Sequence, residues 1–257
     1  MKKTIFTFAF AALAGLSFAA IVPGDVVINE FLTNPTGTAT DGSSSEYIEL
    51  LVVETSNLSG VTISDRSATG TAGSTEGDLT FPGAGFTSVP AGTYILIYLN
   101  VPNANTGVVE DLDAADKRIV LRAGGPTLVA SGTLDISTNE NLVLWAGAAN
   151  TGQMVDYLAT GTNTSQIGFT DTTLHSPAVA WGVTNITGGG DRNGVFVPAV
   201  QNTVAGFKNN DTAAAWTTVT PATGLGTPGA VNPGVNDSVL AGTPPAASAS
   251  NWELYNF

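Results

Sequence analysis

The sequence predicts an all-β protein, a β-sandwich carrying long loop insertions, and three observations predict it. Short runs that alternate in polarity or are wholly apolar recur along the chain, each bounded by Gly, Asn, Pro or Ser clusters. Gly, Pro, Ser and Thr abound while Lys and Met are scarce, so helices are disfavoured. Beyond the first nineteen residues only Glu110 to Arg118 reads as a helical turn or two. No segment repeats at a fixed period, which argues against a propeller or a solenoid.

The first nineteen residues stand apart from that pattern. Lys2 and Lys3 precede a run from Ile5 to Leu16 that is apolar except for Thr7 and Gly15, and Ser17-Phe18-Ala19 follows. That order is expected of a secretory signal peptide over residues 1–19. The apolar run is short for a bilayer span, which takes roughly 20 residues. No second long apolar run follows, so no transmembrane span is expected in the mature chain.

Eight basic residues face 21 acidic ones. Two of the basic residues leave with the leader, so six against 21 remain, a net charge of −15. Nucleic-acid binding rests on Lys and Arg against phosphate, so no nucleic-acid partner is expected. There is no cysteine, which excludes thiolate metal sites and cysteine nucleophiles. A secreted chain of this length without disulfides must hold itself together through its own core.

Taken in order, Val26 to Leu32 is apolar on both faces, with Glu30 sharing the face of Val26 and Ile28 by simple alternation. A strand buried on both sides is the reading. Thr36 to Ser45 reads as a loop, and Glu46 to Glu54 as the second strand. Leu58 to Ile63 is a third, Arg66 to Asp78 a loop, and Leu79 to Pro82 a short strand stopped by its proline. Tyr94 to Leu99 is the most continuous apolar strand and is expected mid-sheet. Residues 101–117 form a long acidic excursion before Ile119 to Arg122. Asn139 to Trp145 and Met154 to Leu158 read as a hairpin, with Ala178–Val183, Val195–Val197 and Trp216–Val219 as later strands. Pro233 to Ser250 is rich in Pro, Gly, Ala and Ser and reads as a linker. Aromatic residues then concentrate in a tail at 251–257.

Several pieces of this chain, in this order, resemble the lamin tail domain family, in a bacterial secreted type. Val27-Ile-Asn-Glu-Phe31 with Asn34-Pro35 is similar to the family's opening strand, and Glu46-Tyr-Ile-Glu-Leu50 to its second. Leu58-Ser-Gly60 with Ile63-Ser-Asp65 resembles the segment after it. Phe81-Pro82, Pro90-Ala-Gly92 and Tyr94–Leu99 resemble the middle, and Asn139–Tyr157 the hairpin that follows. Gly226-Thr-Pro-Gly-Ala-Val-Asn232 resembles the closing signature. The resemblance implies one immunoglobulin-like β-sandwich over 20–232, with insertions at 101–137 and 161–212. It transfers no catalytic residue.

Candidate chemistry is sparse. His175, the only histidine, lies in Thr172-Thr-Leu-His-Ser-Pro177, a loop by composition, and no Gly-x-Ser-x-Gly elbow accompanies it. Glu110-Asp-Leu-Asp-Ala-Ala-Asp116 gathers four carboxylates, and calcium is the cation such a loop would take. It lacks the EF-hand spacing. Glu30 and Glu49 fall inside apolar strands, where carboxylates are expected to bond backbone groups or pair with an arginine. The tail offers Trp252, Leu254, Tyr255 and Phe257 as partner-binding residues, presented behind the linker for strand addition or sorting. The expectation is a non-enzymatic structural or binding module, secreted or at the cell surface. It needs no cofactor, and its partner would be an extracellular or envelope protein or polysaccharide. A metal-dependent nuclease or glycosidase and a calcium-stabilised adhesion module are the alternatives.

Overall fold

The computed structural model describes residues 21–33, 35, 45–67, 77–102, 104–136, 140–149, 152–159, 192–210, 215–219 and 227–240. Eleven strands among them form two sheets. They are β1 (Val26–Thr33), β2 (Ser45–Val52), β3 (Thr62–Ser67), β4 (Gly77–Thr80), β5 (Tyr94–Pro102) and β6 (Arg118–Arg122). After these come β7 (Val129–Gly132), β8 (Glu140–Ala146), β9 (Gln153–Ala159), β10 (Arg192–Phe196) and β11 (Trp216–Val219). One sheet runs β11-β10-β1-β2-β5-β6, the other β7-β4-β3-β8-β9. The two pack face to face, giving the expected all-β sandwich.

Alternation decides what fills the space between them. Ile48, Leu50, Ile95, Ile97, Ile119 and Leu121 from the first sheet meet Ile63, Leu79, Leu142 and Leu144 from the second in one continuous core. Every residue of β1 and β2 is buried, so their outward faces are covered as well. Leu32, Tyr47 and Leu96 form a second cluster with Tyr98, and Val143, Trp145, Met154 and Tyr157 a third. Trp145 is fully buried and its Nε1–H donates to Ser64 Oγ at 2.7 Å.

Pairing is antiparallel throughout, except that β5 and β6 run parallel. Parallel neighbours need a chain that returns to the same end of the sheet. Residues 104–117 belong to that return, which accounts for the length of the acidic excursion. Asn105 pins it, donating from Nδ2 to the carbonyls of Tyr98 and Leu99 at 2.9 and 3.0 Å. The tract 101–137, taken as one insertion from the sequence, therefore includes β6 and β7 of the sandwich.

Other boundaries move for identifiable reasons. Leu58-Ser-Gly60 is a turn rather than the start of β3: Asn57 Oδ1 accepts the Ser59 N–H at 2.9 Å, and Gly60 sits at φ +78°. Arg66, Ser67, Gly77 and Asp78, read as loop, lie in β3 and β4. The edge strand β7 is exposed along its whole length and has no apolar alternation to betray it. The helical expectation at 110–118 reduces to one 3-10 turn at Ala114–Asp116, and a single α-helical turn, α1, forms at Val204–Phe207. Residues 233–240 pack on the sandwich where a linker was expected, with Leu240 and Asp237 buried. The expected signal peptide, the strand at 178–183, the rest of the linker and the aromatic tail lie outside the described residues. Among the described residues no helix is long and apolar enough to cross a membrane.

Packing is tight where β10 crosses β1. Gly194 faces Phe31, which also lies against Trp216 with ring centroids 6.0 Å apart. A Cβ at Gly194 would overlap the Phe31 ring. Gly194→Ala is expected to destabilise by about 1–3 kcal/mol through overpacking, seen as a lower midpoint in urea with an unchanged slope.

Candidate functional site

The chemically richest place lies on the outward face of the six-stranded sheet, where two carboxylates face each other. Simple alternation puts Glu30 beside Val26 and Ile28, but the structure does not. Ile28 pairs with Leu50 and Glu30 with Glu49, so Asn29 is an extra residue in β1. This bulge reverses the alternation. Glu30 thereby turns away from the core and comes directly opposite Glu49.

Both glutamates are fully buried. Glu30 accepts the Tyr47 hydroxyl and, at 3.0 Å, the Thr227 N–H. Glu49 accepts Asn29 Nδ2 at 2.7 Å and the Gly229 N–H. Residues 227–240 thus form a strap across the sheet. Gly229 takes φ +77°, which aims its N–H inward and brings its Cα against Arg118. Asn232 donates from Nδ2 to Phe196 O at 2.8 Å and to the bulge carbonyl of Asn29 at 3.3 Å. Further along, Tyr94 donates its hydroxyl to Asp237 at 2.8 Å.

Burial pushes the Glu49 carboxyl well above the usual carboxylate range, and the Glu30 charge pushes it the same way. The Gly229 and Asn29 donors and the Arg118 charge oppose them without cancelling them. Burial also raises Tyr47 and Tyr94, helped by the neighbouring carboxylates. Asp237 is raised by burial despite the Tyr94 hydroxyl. These glutamates bond backbone N–H groups, as the apolar strands around them led one to expect.

Other buried carboxylates repeat the arrangement. Asp65 accepts the Gly77 N–H at 2.6 Å and the Asp135 N–H at 2.8 Å, while Glu46 accepts the Ile136 N–H at 2.7 Å. Beyond the reach of β10, the edge of β1 is completed by side chains. Asp156 accepts the Ile28 N–H at 2.6 Å, and Asn210 donates to Ile28 O at 3.2 Å and to Asp156 at 2.8 Å. Lys208 bridges Asp25 and Glu54 at 2.8 and 2.9 Å. Burial pulls the Lys208 ammonium down, but the two carboxylates outweigh it and hold it above its ordinary value.

The acidic loop at 110–116 is organised differently. Asp111, Asp113 and Asp116 each accept the N–H two residues on, at 2.9–3.0 Å, forming successive Asx turns. Glu110 accepts the Thr127 hydroxyl at 2.5 Å and the Arg122 N–H at 3.3 Å. Among the described residues no three His, Cys, Asp or Glu side chains converge as metal ligands. An open hollow of about 610 Å³ lies between residues 199–202 and 236–239, lined by amides, a hydroxyl and small apolar groups. Its Gln201 amide is held by Pro198 O, Gly234 O and the Asn236 N–H.

His175 and the tail residues Trp252, Leu254, Tyr255 and Phe257 lie outside the described residues. Sequence reasoning missed Asp156, Asn210 and Asp237, whose positions carry no motif of their own. No protein-family model matches the chain, and the search of curated proteins finds no match.

The two kinds of carboxylate separate in a stability measurement. Asp65→Ala leaves the Gly77 and Asp135 N–H groups without this acceptor and is expected to cost about 2–6 kcal/mol, at 1–3 kcal/mol for each group left unsatisfied. Asp113→Ala removes only an exposed turn cap and is expected to cost less than about 1 kcal/mol. Urea unfolding of the two variants beside the parent reads the difference.

Proposed function

We propose that this chain is a secreted or surface-displayed, non-catalytic structural or binding module, an immunoglobulin-like sandwich of the lamin tail domain type. One observation carries the reading. Glu30, Glu46, Glu49 and Asp65 belong to the motifs on which the family resemblance rests, and each accepts a main-chain N–H from a segment distant in sequence. Their chemistry is directed inward, to architecture. A hydrolase of the glycosidase kind would hold two carboxylates across an open cleft with room for substrate, whereas this pair is buried under a strap. In this reading the partner is an extracellular or envelope protein or polysaccharide, met by loops or by the aromatic tail.

Two experiments test it. Nuclease and glycosidase substrates offered with and without magnesium, manganese, calcium or zinc are expected to show no turnover above buffer. Metal-dependent turnover that disappears in Asp111→Ala or Asp113→Ala would replace the proposal with a hydrolase. For location, the full chain and a version ending at Ser250 are expressed in a bacterial host and fractionated. Retention of the full chain on the envelope with release of the shorter one is expected if the tail anchors the module. Identical distribution would remove the tail from the proposal.

A further inference from the structure

The open hollow between residues 199–202 and 236–239 has a chemistry that the module reading leaves unassigned. We propose that it is a binding subsite for a neutral saccharide, one or two rings of an uncharged extracellular or envelope glycan. The inference rests on the module reading and names the class of partner and the place that meets it. The hollow has a volume of about 610 Å³, within the range of about 300–1,000 Å³ usual for small-ligand sites. Its walls come from two segments distant in sequence, the loop between β10 and α1 and the strap 227–240.

These walls are fixed by the chain itself. Gln201 ties them together: its Nε2 donates to Pro198 O and Gly234 O at 3.3 Å each, and its Oε1 accepts the Asn236 N–H at 2.7 Å. On the loop side, α1 packs so close to the Val200 carbonyl that a Cβ at Gly206 would overlap it. On the strap side, Asn236 Oδ1 accepts the Ser238 N–H at 3.2 Å, and Leu240 anchors the next turn in the core. A preformed site spares its ligand the cost of ordering loops.

The lining decides the class of ligand. No lining residue carries a charge, in a chain with 21 acidic residues. Asp237, between two lining residues, turns its carboxylate to the Tyr94 hydroxyl. An ionic ligand would leave water for a place with no counter-charge. Three exposed neutral groups face it instead. The Asn202 amide, Asn236 Nδ2 and the Ser238 hydroxyl make no hydrogen bond among the described residues. Val200 beside them is 49% exposed, and Ala199 and Val239 extend the apolar surface. A wholly apolar ligand would strip water from the amides and the hydroxyl without replacing its hydrogen bonds. A sugar ring matches both parts: its hydroxyls donate and accept against amide and hydroxyl groups, while its C–H face covers Val200. A peptide fits less well. Peptide recognition uses strand edges, apolar grooves or aromatic troughs, and neither wall is a strand or carries an aromatic residue.

Titration of the isotope-labelled full chain with uncharged tetrasaccharides of glucose, mannose, galactose and N-acetylglucosamine, read by two-dimensional NMR of the amides, tests the subsite. At least one of these sugars is expected to give saturable shifts centred on residues 199–202 and 236–239. Tetragalacturonate, an acidic counterpart, and a capped tetra-alanine peptide are expected to give none there. Asn202→Ala combined with Ser238→Ala leaves the Gln201 ties in place and is expected to weaken binding by about tenfold or more. Val200→Asp, which puts a charge in the hollow, is expected to abolish binding and serves if the double variant does not fold. The subsite is overturned by the absence of shifts with every neutral sugar, by saturable shifts centred elsewhere, or by unchanged affinity in either folded variant. Equal or stronger binding of tetragalacturonate or the peptide in the hollow also overturns it. Failure to bind sugars that are recovered uncut removes the subsite alone, whereas cleavage of a sugar removes the non-catalytic module reading.

Discussion

The structure depends on one interaction used repeatedly: a buried carboxylate accepting the main-chain N–H of a segment far away in sequence. Glu30 holds Thr227, Glu49 holds Gly229, Glu46 holds Ile136, Asp65 holds Gly77 and Asp135, and Asp156 holds Ile28. Where the acceptor is ionised, such a hydrogen bond contributes about 1.5–3 kcal/mol, roughly twice a neutral one. The chain has no cysteine to cross-link its connections. Carboxylates in the strands take over part of that role, fixing where loops and the C-terminal strap land.

This use of acids follows from the composition as much as from the fold. With 21 acidic and eight basic residues, most carboxylates have no cation to pair with. An isolated buried carboxylate is costly, so an acid in a doubly covered strand needs donors from elsewhere. Backbone N–H groups in connections are the donors in surplus, because strand edges and turns leave them outside the ladders. The bulge at Asn29 and the early end of β10 create such needs in β1, and Asp156, Asn210 and Asn232 meet them. Irregularity and carboxylate are thus two halves of one design.

The sheet framework was legible in the sequence because it is written in periodicity. β1, β2, β5, β8, β9 and β11 fall where apolar runs or alternations sit, and the inward residues of those strands are the core. What was not legible needed long-range information. No local signal places an extra residue in Val26–Thr33, so the side on which Glu30 emerges was misread. Residues 233–240 look like a linker because Pro, Gly and Ser dominate, yet Asp237 and Leu240 dock against groups nearly 150 residues earlier. The strand β7 pairs through its backbone with exposed side chains, which leaves no pattern to find. Of the candidate site, the glutamates and the closing Thr-Pro-Gly signature were each visible, but their meeting was not.

That meeting also distinguishes the strap from the other stapled segments. Asp65 and Glu46 act through separate carboxylates on different strands, so neither adds a charge directly opposite the other. At the strap, two buried acids on adjacent strands stand directly opposite each other, and the Arg118 charge acts on Glu49. The hydrogen bonds that hold Thr227 and Gly229 favour ionised acceptors, whereas burial and mutual repulsion favour a proton. For Glu49 burial and the Glu30 charge prevail over the donors. The strap is therefore held partly through an acid whose ionisation its own burial opposes, while the core beneath it rests on apolar packing that is indifferent to protons.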